Sequence, residues 1–230
     1  MSYFLTAWND EPEFDVKPKR GDMERGVLPS QLSLERRFAM FIDYLATMLI
    51  NLVAALVLVA LYLILGIDKP DQKRWVPGFA ITGLVLLMSG WRLLSTWPLP
   101  GSYDIAFGGA AVLFGAVLAG TALAQAFCWD MLTVTVYAFF AGLAAIVLGV
   151  RVINLGMSKQ PVLAGIGYIL AGLGGVLSTP VWYLRRYPWV RWLAALALLA
   201  TALIWAIIGY GAYWEHLADF AKWAPPGLQQ

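Results

Sequence analysis

The chain has 230 residues, 60% of them hydrophobic and only 13% charged, about half the charged fraction of an average soluble domain. Its formal net charge of +2, with no long basic run, argues against a nucleic-acid partner. The single cysteine, Cys128, excludes an intrachain disulfide and a thiolate metal cluster.

Residues 1–37 read as a polar N-terminal arm. Seven of the chain's 14 acidic residues lie here, from Asp10 to Glu35, behind an aromatic tip that includes Phe4, Leu5 and Trp8. An arm of this composition has too few apolar groups to fold alone. If ordered, it is expected to dock through Phe4, Leu5 and Trp8 on a neighbouring integral membrane subunit, or failing that on the cytoplasmic face of the bundle. The N-terminus lacks a basic n-region, a short apolar core and a small-residue cleavage site, so the first span is expected to stay in the mature protein.

Residues 38–213 hold six apolar runs, each near the ~20 residues that a helix needs to cross a hydrocarbon core. The predicted spans are 38–65, 78–97, 105–127, 131–155, 162–183 and 189–213. Between them stand breaks that the membrane interior rejects: the charged connection 66–77, the Pro/Gly-rich stretch 98–104, the turn Cys128-Trp129-Asp130, the stretch 156–161 and Arg185-Arg186-Tyr187-Pro188. Eight of the eleven tryptophans fall near predicted span ends, as an interfacial aromatic belt requires. Residues 214–230 form a short amphipathic C-terminal tail. The expected fold is all-α, a polytopic transmembrane bundle of six spans with a polar arm.

Lys and Arg in the flanks favour the N-terminal side by eight to six. This places both termini in the cytoplasm, with the bundle integral to a prokaryotic cytoplasmic (inner) membrane. Small residues recur every fourth position in spans three (Ala111, Gly115, Ala119), four (Ala141, Ala145, Gly149) and five (Gly167, Ala171, Gly175). Such ladders let helix backbones approach closely, so these three spans are expected to pack on one another at the bundle centre.

Few residues carry chemistry. Asp43, Thr47 and Asn51 share one face of span one, and Ser89, Arg92 and Thr96 one face of span two. Asp43 pairing with Arg92, with Asp104 as the rival partner, would make an intramembrane polar site (Asp43, Asn51, Arg92, Asp104) for a proton or ion. The same residues suit a buried register-setting pair, or snorkelling to the interface, more readily than a relay. Arg151 and Asn154 share a face near the end of span four, suited to a lipid phosphate or a partner carboxylate, with snorkelling again the alternative. His216 is the only histidine, so the chain by itself cannot build a bis-histidine haem, and no cofactor, metal or catalytic residue is expected.

The stretches Phe41–Asn51, Gly101–Gly108, Tyr137–Ala145 and Gly149–Asn154 resemble an uncharacterised prokaryotic membrane family, the domain of unknown function 981 family. The resemblance covers about residues 38–185 and implies a multi-span membrane protein with no established activity. It assigns no catalytic residues. Where this chain has Asp104 and Arg92, the family pattern has Asn and often His, so the resemblance gives neither residue a role. The leading expectation is a non-catalytic accessory subunit of a larger membrane assembly, such as a respiratory or photosynthetic electron-transfer complex. The alternative is a small transporter or channel using Asp43 and Arg92.

Overall fold

An apolar run in hydrocarbon must satisfy its own backbone N–H and C=O groups, and an α-helix does so within one segment. The computed structural model describes residues 44–99, 101–219 and 221, and these form seven α-helices. They are α1 (Tyr44–Leu65), α2 (Val76–Thr96), α3 (Gly109–Ala126), α4 (Leu132–Leu155), α5 (Pro161–Val176), α6 (Ser178–Leu184) and α7 (Pro188–Asp219). A 3-10 turn at Lys73–Trp75 leads into α2, and a π-helical turn at Asp104–Gly108 leads into α3. The arm with Phe4 and Trp8, the residues of span one up to Asp43, and Lys222, Trp223, Pro225 and Pro226 of the tail lie outside the described residues.

Five helical segments are long and apolar enough to cross a membrane, and α5 with α6 makes a sixth if counted as one span bent by 46°. The predicted fifth span was continuous. Its bend has a chemical cause, because Pro180 has no N–H to bond the preceding turn and its ring crowds the carbonyl four residues back. Ser178 Oγ at the break donates to Gly175 O at 2.6 Å and to Thr135 O at 3.1 Å, tying the bend to α4. At the C-terminus α7 runs past the predicted end of span six, so Trp214, Glu215, His216 and Asp219 continue the helix.

The helices associate chiefly as three pairs: α1 with α7, α2 with α3, and α4 with α5. Little hydrophobic drive separates helix from lipid tail, so close backbone approach decides these pairs. On α4 and α5, Gly149 lies against Gly165 and Gly142 against Gly172; a Cβ built on Gly149 would come within 2.7 Å of Gly165 O. At such separations Cα–H groups reach facing carbonyls. The expected three-span centre is corrected here. The small residues of α3 face α2 instead, where a Cβ on Gly90 would lie 2.7 Å from Gly108 O and one on Gly115 would lie 3.0 Å from Gly83 O. Contact between α3 and α4 is minor beside that of α2 with α3. Gly83 and Gly90, absent from the predicted ladders, are what draw α3 to α2.

In the α1–α7 pair a Cβ on Gly209 of α7 would lie 3.1 Å from Leu49 Cβ of α1, and Ala46, Ala55 and Ala60 of α1 and Ala195 and Ala202 of α7 are buried. A hydrogen bond of 2.8 Å joins the Thr47 and Tyr213 hydroxyls across it. Thr82, Thr121, Thr135 and Thr201 are buried. Each donates to a carbonyl three or four residues earlier in or beside its own helix, at 2.8 Å, so none needs a partner elsewhere.

Candidate functional site

Polar groups gather at the two ends of the bundle. One end holds the α2–α3 and α4–α5 connections, which meet where Ser102 Oγ lies 3.7 Å from Met157 Sδ. Asp104 opens the turn into α3, where the electropositive start of a helix favours a carboxylate. Its side chain is fully buried. The Leu99 N–H donates to Oδ2 at 3.0 Å, whereas Oδ1 has no hydrogen-bond partner among the described residues. The Asp104–Leu99 bond lies within the connection from α2 to α3, in which Trp97 takes the left-handed region at φ 47° and Gly101 at φ 60°.

From this loop a row of aromatic rings runs into the bundle. Tyr103 stacks on Phe107 (6.1 Å between centroids), Phe107 meets Tyr168 (5.8 Å), and Tyr168 meets Trp205 edge to face (5.0 Å). They lead to a central cavity of about 20 Å³, lined by Met48, Leu49, Leu52, Phe107, Tyr168 and Trp205 among others. That is room for about one water, between almost wholly apolar walls.

Of the predicted site residues, Asn51 sits within α1 and donates from Nδ2 to Thr82 O at 2.9 Å, fastening α1 to α2. Arg92 is exposed in the last turns of α2 and makes no ion pair with Asp104, whose described contact is with Leu99. Asn51, Arg92 and Asp104 therefore do not converge on one site, and Asp43 lies outside the described residues. Arg151 and Asn154 are exposed in the last turns of α4. Nearby, Lys159 binds Glu215 at 2.5 Å, and this hydrogen bond, with the Glu215 charge, holds the Lys159 ammonium above its usual pKa.

The opposite end contains residues that sequence reasoning missed. Gln125 is buried in the last turn of α3, beside the Tyr62 hydroxyl, but neither amide atom makes a well-formed hydrogen bond. Tyr62 also packs edge to face on Trp75 and Phe79, at 5.7 Å from each. Arg191 pairs with Asp68, and the Arg185 guanidinium lies 3.9 Å over the Trp182 ring. A lone amide in an apolar run was the available signal for Gln125. Asp68 and Arg191 stand more than 100 residues apart, and no local pattern links them.

Among the described residues no group of three His, Cys, Asp or Glu is placed to hold a metal ion. A family model described as "Protein of unknown function (DUF981)" matches residues 39–219. No curated protein and no solved structure matches the chain.

Proposed function

We propose that this chain, which belongs to the DUF981 family, is a non-catalytic accessory subunit of a larger membrane assembly. The observation that carries this reading is the interior of the described bundle, where backbone meets backbone at glycine pairs within the α2–α3 and α4–α5 hairpins and a cavity among α1, α2, α3, α5 and α7 has room for about one water between apolar walls. Such an interior suits a rigid scaffold better than a conduit. Span ends bearing Trp75, Trp97, Trp129, Trp182 and Trp189 suit contact with lipid headgroups and with other integral subunits. We take the assembly to be a respiratory or photosynthetic electron-transfer complex in a prokaryotic cytoplasmic membrane, with both termini cytoplasmic and the arm as the docking element.

The competing reading is a small transporter or channel. One observation favours it, the fully buried Asp104 carboxylate, since an ionisable group inside a membrane bundle marks ion and proton pathways in many proteins. One experiment separates the two. The full chain is extracted in a mild detergent and analysed by native electrophoresis, with mass spectrometry of co-purifying proteins, and is also reconstituted for flux measurements. The accessory reading expects migration with a larger complex, lost when residues 2–28 are deleted, and no flux above empty vesicles. A lone chain that carries flux abolished by Asp104→Asn would overturn it.

A further inference from the structure

The two glycine-paired hairpins are the same object built twice. Gly83 and Gly90 of α2 correspond to Gly142 and Gly149 of α4, an offset of 59 positions (83 to 142, 90 to 149). Gly108 and Gly115 correspond to Gly165 and Gly172 of α5, an offset of 57 (108 to 165, 115 to 172). The contacts repeat under these offsets. A Cβ on Gly83 would lie 2.7 Å from Ala119 N, and one on Gly142 2.7 Å from Val176 N. On Gly115 it would lie 2.8 Å from Leu87 N, and on Gly172 2.9 Å from Ile146 N. On Gly90 it would meet Ala111 Cβ at 2.9 Å, and on Gly149 Tyr168 Cβ at 3.0 Å. Even the helix ends agree: α2 stops at Trp97 with φ 47° and α4 at the equivalent Gly156 with φ 63°. The two-position difference falls in the connections, where the first hairpin carries the π-helical turn at Asp104–Gly108.

The duplication makes Arg92 and Arg151 equivalent, and likewise Ser95 and Asn154, three residues further on. All four are exposed. The contact of Ser102 with Met157 places the two connections, and so the two arginines just before them, at one end of the bundle. Each arginine tops an exposed apolar stripe at helical spacing: Leu84 and Met88 below Arg92, Leu143 and Val147 below Arg151. A guanidinium above a lipid-facing stripe must reach the headgroup level to keep its charge solvated. Its planar fork of donors matches a phosphodiester. On this end Glu215 is bound to Lys159, Asp219 faces the same ammonium, and Asp104 is buried against Leu99; among the described residues none of the three carboxylates forms an ion pair with either arginine.

We infer that Arg92 with Ser95, and Arg151 with Asn154, are two equivalent sites for the phosphodiester headgroup of an anionic glycerophospholipid. The acyl chains lie along the two apolar stripes. A zwitterionic lipid carries its own ammonium beside the phosphate and competes poorly. The inference does not rest on the accessory-subunit reading, because each hairpin holds its site whether or not the chain joins an assembly.

The test is native mass spectrometry of the full chain titrated with phosphatidylglycerol or phosphatidylcholine, for the wild type, Arg92→Gln, Arg151→Gln, the double variant, and Arg186→Gln as an opposite-end control. The wild type is expected to bind two phosphatidylglycerol molecules in preference to phosphatidylcholine. Each single variant should lose one of them, with affinity at that site falling about fivefold, the worth of one basic residue near an anionic surface. The double variant should lose the preference, Arg186→Gln should retain it, and excess inorganic phosphate should not displace the lipid. Thermal unfolding of each variant confirms that it is folded, and Arg→Lys at both positions, which keeps the charge but not the fork, should retain part of the preference. A double variant that still prefers phosphatidylglycerol overturns the sites. Loss of the whole preference in one single variant overturns their equivalence.

Discussion

Replacing Gly149 by alanine tests the close packing of the duplicated hairpins. The new methyl would sit 2.7 Å from Gly165 O, 2.8 Å from Ile169 Cγ1 and 3.0 Å from Tyr168 Cβ. Non-bonded carbon contacts are comfortable only near 3.5–4.0 Å, so α4 and α5 must part by roughly half an ångström or more over one turn. Overpacking of this kind costs about 1–3 kcal/mol, and alanine's better helix propensity returns about 0.8–1.0 kcal/mol. The net expectation is a loss of up to about 2 kcal/mol against the wild type, and of about 1–3 kcal/mol against a glycine replaced where the added methyl meets nothing. Gly90→Ala, with Gly108 O at 2.7 Å and Val112 N at 2.9 Å, should lose a similar amount. Gly109→Ala and Gly211→Ala, with nothing within 4 Å of the added carbon, should be neutral or stabilising. Reversible unfolding in mixed micelles, followed by tryptophan fluorescence, measures all four. If Gly149→Ala and Gly90→Ala prove as stable as the two controls, the close-approach account of both pairs is wrong.

Asp104→Leu leaves the Leu99 N–H buried without its acceptor and should cost about 1–3 kcal/mol, whereas Asp104→Asn keeps an acceptor oxygen and should stay near wild type; equal stability of the two in the same assay removes Asp104 as the loop's fastener. Cys128 is held at φ 57° while the Trp129 N–H bonds Ala124 O at 2.8 Å to close α3. Cys128→Gly should therefore add about 1 kcal/mol by relieving left-handed strain, and a destabilised variant would contradict this. Trp205→Ala, deleting a side chain only 1% exposed, should cost about 3–5 kcal/mol; a near-neutral result would show that the aromatic row bears little on stability. Cys128 is also the sole thiol of the chain and is exposed. With cytoplasmic termini, a membrane-impermeant maleimide should label it in intact spheroplasts, and labelling only after permeabilisation would reverse the proposed orientation.

Membrane class, helix content and the main breaks were legible in the sequence because hydrocarbon imposes a one-dimensional rule: ~20 apolar residues make a span, and charges or Pro/Gly clusters end it. Even so, Pro180 within the predicted fifth span was a local signal passed over, and it accounts for the bend between α5 and α6. Which helices pair was not decided at that level. Ala111, Gly115 and Ala119 of α3 offer a small-residue face to any neighbour, and small-residue packing depends on whose backbone arrives opposite. Only the fold shows that Gly83 and Gly90 of α2 take that place. The candidate site was less legible still. Arg92 looked like the partner of Asp43 or, as the rival, of Asp104, with Asn51 on the Asp43 face, because a charge alone in a bilayer is costly. The tertiary structure gives each its own resolution instead: Arg92 at the exposed end of α2, Asp104 on the Leu99 N–H and Asn51 on Thr82 O. The sequence determines where charge is expensive, because that follows from composition along a helix. Only the folded chain decides how each charge is met, because the partner groups come from backbone and side chains brought together by packing.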